Sequence, residues 1–251
     1  MRNNEFMLPR IFHSAPLTNG ATITLTGSAA THIGKVLRLR EHDTVILFNG
    51  QGLDYTARII SVTRREIVVS IAGRTNPETE SPLHLSLLQG ICRNHRMDLL
   101  IQKSTELGVQ SIRPIMAERS VIRINDERAE KKLLHWQNVA ISACEQCGRA
   151  RVPDISRPER LDTVCERLAT TATLLVLDPA GDDIPVTEIR SAHSIELLVG
   201  PEGGLTDMER ETASNAGFRQ VRLGPRIMRT ETAPLAALSI LQYLSGDFSG
   251  R

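Results

Sequence analysis

The chain has 251 residues, of which 41% are hydrophobic and 24% charged, with a formal net charge of +1. At about 150 residues per domain this length predicts one or two globular domains, and the scattered 17 glycines and 12 prolines exclude collagen-like and low-complexity chains. No apolar run approaches the ~20 residues needed to cross a bilayer, and Met1 to Phe12 lacks the apolar core and cleavage site of a secretory leader, so a cytoplasmic address is expected.

The near-neutral total hides an uneven distribution. Residues 1–80 carry +2, residues 81–157 carry +4 and residues 158–251 carry −5. Of the 30 basic residues 26 are arginine, the planar group that grips phosphates and base edges bidentately. A GC-rich genome produces the same bias, and so balanced a chain is no indiscriminate coat for nucleic acid. Four cysteines (Cys92, Cys144, Cys147, Cys165) are too few for a disulfide scaffold. The Cys144-x-x-Cys147 pair lacks a second pair or a histidine to complete a tetrahedral metal site, so helix packing is its expected role and no metal is expected.

Segments 21–25, 44–48, 55–61 and 66–72 alternate apolar and polar residues between turn signals such as Asn19-Gly20 and Asn49-Gly50, the spacing of a small β-barrel. Between the first two, residues 29–39 have helical spacing at Ile33, Val36 and Leu37 and basic groups at His32, Lys35 and Arg38, which suit a solvated face or an RNA contact equally. Residues 73–82 hold two prolines, a glycine and almost no apolar side chain. They mark a boundary: 1–76 is expected as one domain, 77–82 as a linker and 83–251 as a second domain. Beyond it, strands at 83–92, 111–116, 173–177, 195–199 and 220–223 alternate with helices at 97–107, 126–147, 160–169, 207–215 and 233–243, which predicts an α/β fold around a mostly parallel sheet. Leu133, Ala140, Ile141, Cys144 and Cys147 form one stripe of the long helix, which Gly148 ends.

The clearest local signal is Ile195-Glu-Leu-Leu-Val-Gly-Pro-Glu-Gly-Gly-Leu-Thr-Asp-Met-Glu209. An apolar strand runs into Gly200, Gly203 and Gly204, and Thr206 with Glu209 makes a capping box that opens the next helix. Open α/β sheets bind ligands at such strand ends, where glycine lets a ligand approach the backbone, as expected here at Gly203. The loop is neither a dinucleotide fingerprint nor a Walker loop. A second loop follows at 221–235, where a short strand ends at Gly224-Pro225 and a polar cluster of Arg229, Thr230, Glu231 and Thr232 precedes a helix with Pro234 in its first turn. The two turns could wall one crevice; the plainer alternative is that Thr230 and Thr232 cap the helix while Arg229 pairs with Glu231. A third group, Lys103 and Glu106 before Gly108 with Glu145, Gln146 and Arg149 around Gly148, reads equally as solvated helix ends.

The stretches QKSTELGV, ACEQCGR, LLVGPEGGLTDME and LGPRIMRTETAPLAAL, with LPRIF near the start and HIGKVLR in the first domain, resemble the bacterial RsmE family, 16S ribosomal RNA (uracil-N3) methyltransferases of the SPOUT class. The resemblance implies a small PUA-like β-barrel domain that binds RNA, then a SPOUT-type α/β domain tied in a trefoil knot, with S-adenosylmethionine held at the knot loops of a homodimer. The implied cofactor residues are Gly200, Pro201, Glu202, Gly203 and Gly204 in the first loop and Leu223, Gly224, Ile227, Met228, Arg229, Thr230 and Glu231 in the second, with Leu177 and Leu198 as apolar neighbours.

Uracil N3 carries a proton, so its methylation requires a base and a cation to hold the imide charge spread over two carbonyl oxygens. Glu231 or Glu106 is the candidate base, and Arg229 or Arg149 the candidate cation, with Arg229 ranked first because it lies in the cofactor loop. RNA contacts are expected at Arg10, His32, Lys35, Arg38, Arg93 and Lys103. The rival readings are a non-catalytic RNA-binding module, an enzyme using another adenine-containing cofactor, and a methyltransferase of the same class with a different target nucleotide.

Overall fold

The computed structural model describes residues 8–121, 126–168 and 171–249. The described parts of Met1–Glu80 and Cys144–Val152 form one compact unit, and those of Ser81–Ala143 and Pro153–Arg251 form a second. The first unit runs to Glu80, four residues into the expected 77–82 linker, and it also takes in Cys144–Val152 from within the expected 83–251 domain, for which local sequence carries no signal.

The first unit is a five-stranded sheet of β1 (Arg10–Phe12), β2 (Thr22–Thr26), β3 (Thr44–Phe48), β4 (Asp54–Val62) and β5 (Glu66–Thr75), in the order β1-β3-β4-β5-β2. Strand β1 runs parallel to β3, and the other pairs are antiparallel. Period-two alternation sends Ile67, Val69 and Ile71 of β5 into one core with Leu25, Val45, Leu47, Ala57 and Ile59. The three-residue β1 has too little length for periodicity to reveal it, yet its Ile11 is buried in the same core.

The expected helix at 29–39 takes a different form. Helix α1 (Gly27–Thr31) passes into a wider π-type turn over His32–Val36, where the Leu37 amide donates to the His32 carbonyl at 2.9 Å. Five-residue hydrogen bonds break the regular helical stripe, so Ile33 is buried but Val36 is exposed. His32, Lys35 and Arg38 remain on the outside, with Arg38 in the left-handed region at φ 54°.

The second unit holds β6 (His84–Gly90), α2 (Asn94–Glu106), β7 (Ser111–Ile115), most of α3 (Asp126–Cys147), β8 (Asp154–Ile155), α4 (Leu161–Cys165), β9 (Thr173–Asp183), α5 (Val186–Ser191), β10 (Ser194–Val199), α6 (Asp207–Asn215), β11 (Arg219–Arg222) and α7 (Thr232–Ser245). The six strands are all parallel, in the order β11-β9-β10-β6-β7-β8. Leu197 at the centre of β10 lies beside Leu87 of β6 and Leu175 of β9, and all three are fully buried, as strands covered on both faces require. One face packs Leu88, Val176 and Leu198 against Leu161 and Val164 of α4 and Ala213 of α6. Helix α4 is shorter than the expected 160–169, whose end at Ala169 lies outside the described residues.

Helix α7 is pinned through buried Gln242, which accepts from Ser81 Oγ at 2.7 Å and donates to the Leu107 carbonyl at 2.7 Å. Among the described residues no helix is long and apolar enough to cross a membrane.

Candidate active site

At the C-terminal ends of β9, β10 and β11 lies a pocket of about 560 Å³, within the range for small-molecule sites. Its first wall is made by a detour in β9. Gln220 of β11 pairs with Val176, but Val221 pairs with Asp182, so the intervening chain leaves the ladder and presents Leu177, Asp178 and Pro179 to the pocket.

The second wall is the loop after β10. The Gly204 amide donates to the Pro201 carbonyl at 2.9 Å, closing a tight turn, and Gly204 adopts φ 69°. Thr206 then caps α6 with the expected box: the Glu209 amide donates to Thr206 Oγ1 at 3.2 Å, and the Thr206 amide donates to the Glu209 carboxylate at 2.8 Å. The loop rests on the end of β6, where a Cβ on Gly90 would lie 2.5 Å from Pro201 Cδ and 2.8 Å from the Gly200 carbonyl carbon, so only glycine fits there. Gly203 also lines the cavity, but a Cβ on it would point at Arg119. A side chain there would meet Arg119 Cβ at 2.9 Å, so packing against Arg119 is by itself a reason for glycine at this position.

The third wall is the loop after β11, which supplies Leu223, Gly224, Arg226, Ile227, Met228, Arg229 and Thr230. Its end is latched to the second wall. Thr230 Oγ1 donates to the Gly200 carbonyl at 2.9 Å, and the fully buried Gln89 donates to Thr230 Oγ1 at 3.3 Å. The plainer alternative for this loop fails on both counts: α7 begins after Glu231 without any side-chain cap, and Glu231 pairs with Arg96 of α2 at 3.6 Å. Arg96 also pairs with Glu202 at 3.2 Å, so a single guanidinium serves one carboxylate from each loop. Beneath them the Cys92 thiol is pushed up to about 12 by burial and by the Glu202 charge, and it stays neutral.

The structure therefore gathers Leu177, Gly200, Pro201, Glu202, Gly203, Gly204, Leu223, Gly224, Ile227, Met228, Arg229 and Thr230 around one cavity. Leu198 instead belongs to the hydrophobic core, and Glu231 stands behind the wall on Arg96. Glu106 does not line the cavity and pairs with Lys103 at 2.8 Å. Arg149 belongs to the first unit, where its guanidinium is 3% exposed and donates to Glu80 at 2.7 Å, a structural post rather than a pocket cation. Arg10, expected at phosphates, is likewise enclosed: its side chain is 8% exposed, paired with Asp54 and stacked 5.0 Å from the Phe48 ring centroid. Arg93 is exposed at the start of α2, and its backbone amide donates to Glu202 at 3.1 Å.

Sequence reasoning passed over Gly90, Gln89, Arg96, Asp178 and Arg210. Gly90 had a readable signal, since a third apolar strand also ends in glycine. Arg96 had none, because an arginine in a first helical turn is ordinary. Arg210 shows its role only in three dimensions, donating to the Leu205 carbonyl at 2.7 Å and lying 3.9 Å from Asp178.

The pocket suits S-adenosylmethionine. Leu177, Val199, Leu223 and Ile227 offer an apolar bed, and a Cβ on Gly204 or Gly224 would meet nothing within 4 Å, so backbone lies open to a ligand. Comparison with known proteins agrees. Residues 79–242 match the model of an RNA methyltransferase domain, and residues 25–72 match an RNA methyltransferase PUA domain. The ribosomal RNA small subunit methyltransferase E of Buchnera aphidicola subsp. Schizaphis graminum is 36% identical over 96% of this chain and 98% of its own. The Bacillus subtilis enzyme of the same name is 31% identical over 90% of this chain and 93% of its own. A crystal structure of the ribosomal RNA small subunit methyltransferase E from Neisseria gonorrhoeae bound to S-adenosylmethionine superposes with a TM-score of 0.90 at 39% identity, covering 96% of this chain and 99% of that one. With a domain model matched over most of its length and relatives aligned nearly end to end, this chain belongs to the ribosomal RNA small subunit methyltransferase E family.

Proposed function

We infer that the protein transfers a methyl group from S-adenosylmethionine to N3 of one uracil in 16S ribosomal RNA. The observation that carries this reading is the meeting of both glycine loops around one cavity at the strand ends. The cofactor supplies a methyl group already activated on a cationic sulfur, so the protein has to hold it, remove the N3 proton and stabilise the charge left on the base.

Arg229 fits the last task. It lines the cavity with an exposed side chain, and no ion pair among the described residues holds it, so its guanidinium is free to meet two carbonyl oxygens. Of the two candidate bases Glu231 stands nearer to Arg229, although neither carboxylate lines the cavity. It lies two residues on, against a group that lines the cavity, whereas Glu106 is bound to Lys103 away from it. The first unit offers His32, Lys35 and Arg38 on an exposed turn for phosphate contacts.

A homodimer belongs to the same reading. Helix α7 leaves Tyr243 60% exposed and Ile240 partly so, and α2 leaves Leu99 uncovered, apolar surface of the kind a second copy buries. Light scattering should give twice 27.7 kDa at micromolar concentration, and a monomer alone would contradict the dimer. The knotted chain path and cytoplasmic work on the small ribosomal subunit complete the proposal.

The test is to incubate the protein with labelled S-adenosylmethionine and small subunits lacking the modification, then map the product by reverse transcription, which a methyl group on the pairing edge arrests. Transfer to one uridine is expected. A methyl group on another base or ring position would move the assignment to a different target nucleotide, and no transfer would leave a binding module.

A further inference from the structure

We propose that Arg96 is a positioning residue that locks the two pocket loops together by neutralising one carboxylate from each. The proposal rests on reading the pocket as the S-adenosylmethionine site. Arg96 stands in the first turn of α2, with Nη1 3.2 Å from Glu202 Oε1 and Nε 3.6 Å from Glu231 Oε2. All three side chains are about four-fifths buried. Glu202 lies in the turn after β10, and Glu231 is the residue on which α7 begins.

Two carboxylates drawn to one place with little water repel unless a cation stands between them. The remaining polar neighbours do not replace that cation. Glu202 Oε2 and Glu231 Oε2 are buried without a hydrogen-bond partner, the Arg93 amide reaches only Glu202 Oε1 at 3.1 Å, and the Cys92 thiol is neutral. The adjacent latch, Thr230 Oγ1 to the Gly200 carbonyl, joins the same two loops one and two residues away. Together the latches fix residues 230 and 231 against 200 and 202, and so fix the backbone that presents Arg229. Arg96 also lines the cavity, and rescue by Glu202→Gln is what separates action through the two carboxylates from direct contact with a ligand.

The test compares wild type with Arg96→Lys, Arg96→Met and Arg96→Met combined with Glu202→Gln. Cofactor affinity is measured by calorimetry, kcat by single-turnover methylation, and amide hydrogen exchange on the cofactor-free protein. Arg96→Met should weaken cofactor binding at least about tenfold, lower kcat and speed exchange in both loops together. Arg96→Lys, which keeps the charge, should stay within about threefold of wild type, and Glu202→Gln in the Met background should recover most of the lost affinity and protection, because one carboxylate no longer repels the other. Wild-type behaviour of Arg96→Met overturns the proposal. So does a defect that neither Lys nor Glu202→Gln relieves, since that is the signature of lost packing. If wild type binds no cofactor, the reading of the pocket fails, and the exchange measurements still decide whether Arg96 locks the loops.

Discussion

Arg229 ends an exposed run of the second loop, immediately before Thr230 turns inward to the Gly200 carbonyl. A charge so placed costs little to hold in the absence of RNA and gains most when the base becomes anionic, which is the condition for acting on the transition state rather than on binding. Arg229→Ala should lower kcat at least ~10²-fold while leaving cofactor affinity nearly unchanged. Calorimetry beside single-turnover kinetics separates the two quantities, and a loss confined to affinity would make Arg229 a binding residue. The same criterion demotes Arg149, whose buried pairing with Glu80 already satisfies its charge. Residue type alone could not separate these two arginines. Both sit in polar clusters of loops that hold a glycine, Arg149 directly after Gly148 and Arg229 five residues after Gly224, and only tertiary contacts show that one is enclosed and the other faces the cavity.

At the scale of elements, the parts written in local chemistry were legible. The capping box of Thr206 and Glu209 acts within one turn, and α6 and α3 run over the expected residues; on α3 the expected stripe holds at Ala140 and Cys144, whereas Leu133 and Ile141 are only half-buried and the buried Trp136 and Ala143 were passed over. What depends on distant chain was not legible: the π-type turn that turns Val36 outward, the two-residue β8, and the β9 detour that puts Asp178 at the pocket. Strand β10 carries a further feature that its apolar run conceals. Glu196 is buried in the sheet, with Arg113 of β7 3.5 Å away and one carboxylate oxygen unpartnered. Burial raises its pKa above the ordinary carboxylate value, and the nearby Arg113 guanidinium only partly opposes this. The folded protein consequently holds the Glu196 proton more tightly than the unfolded chain does, so this residue costs stability above its folded pKa, and the cost vanishes as pH falls below the unfolded value. Glu196→Gln should raise Tm near neutral pH and lose that advantage in acid, each kcal/mol relieved being worth about 2–4 °C for a chain of this size. Thermal melts of both proteins across pH check the sign, and a uniform fall in Tm would show the Arg113 pair to be net stabilising.

At the scale of the molecule, a net charge of +1 leaves no general attraction for RNA, so affinity has to come from a few placed cations. In the first unit the turn after α1 exposes His32, Lys35 and Arg38, whereas Arg10 is spent inside on Asp54. Each exposed cation that meets a phosphate releases counterions, and each such contact contributes roughly 0.7 to 0.9 to the slope of log affinity against log salt. Lys35→Ala with Arg38→Ala should weaken RNA binding about equally for matched and unmatched sequences and flatten the slope by roughly 1.4 to 1.8, while cofactor affinity stays at its wild-type value. Arg10→Ala provides the contrast. It strands a buried Asp54 carboxylate, which costs about 3–5 kcal/mol for a fully enclosed pair, so its effect should appear as a lower Tm with the salt slope of the surviving folded protein unchanged. Filter binding at several salt concentrations, with a thermal melt of each variant, reads both quantities. An unaltered slope in the Lys35, Arg38 variant would make that turn a merely solvated surface, and a flattened slope in Arg10→Ala would mean that the Asp54 pair opens to admit a phosphate.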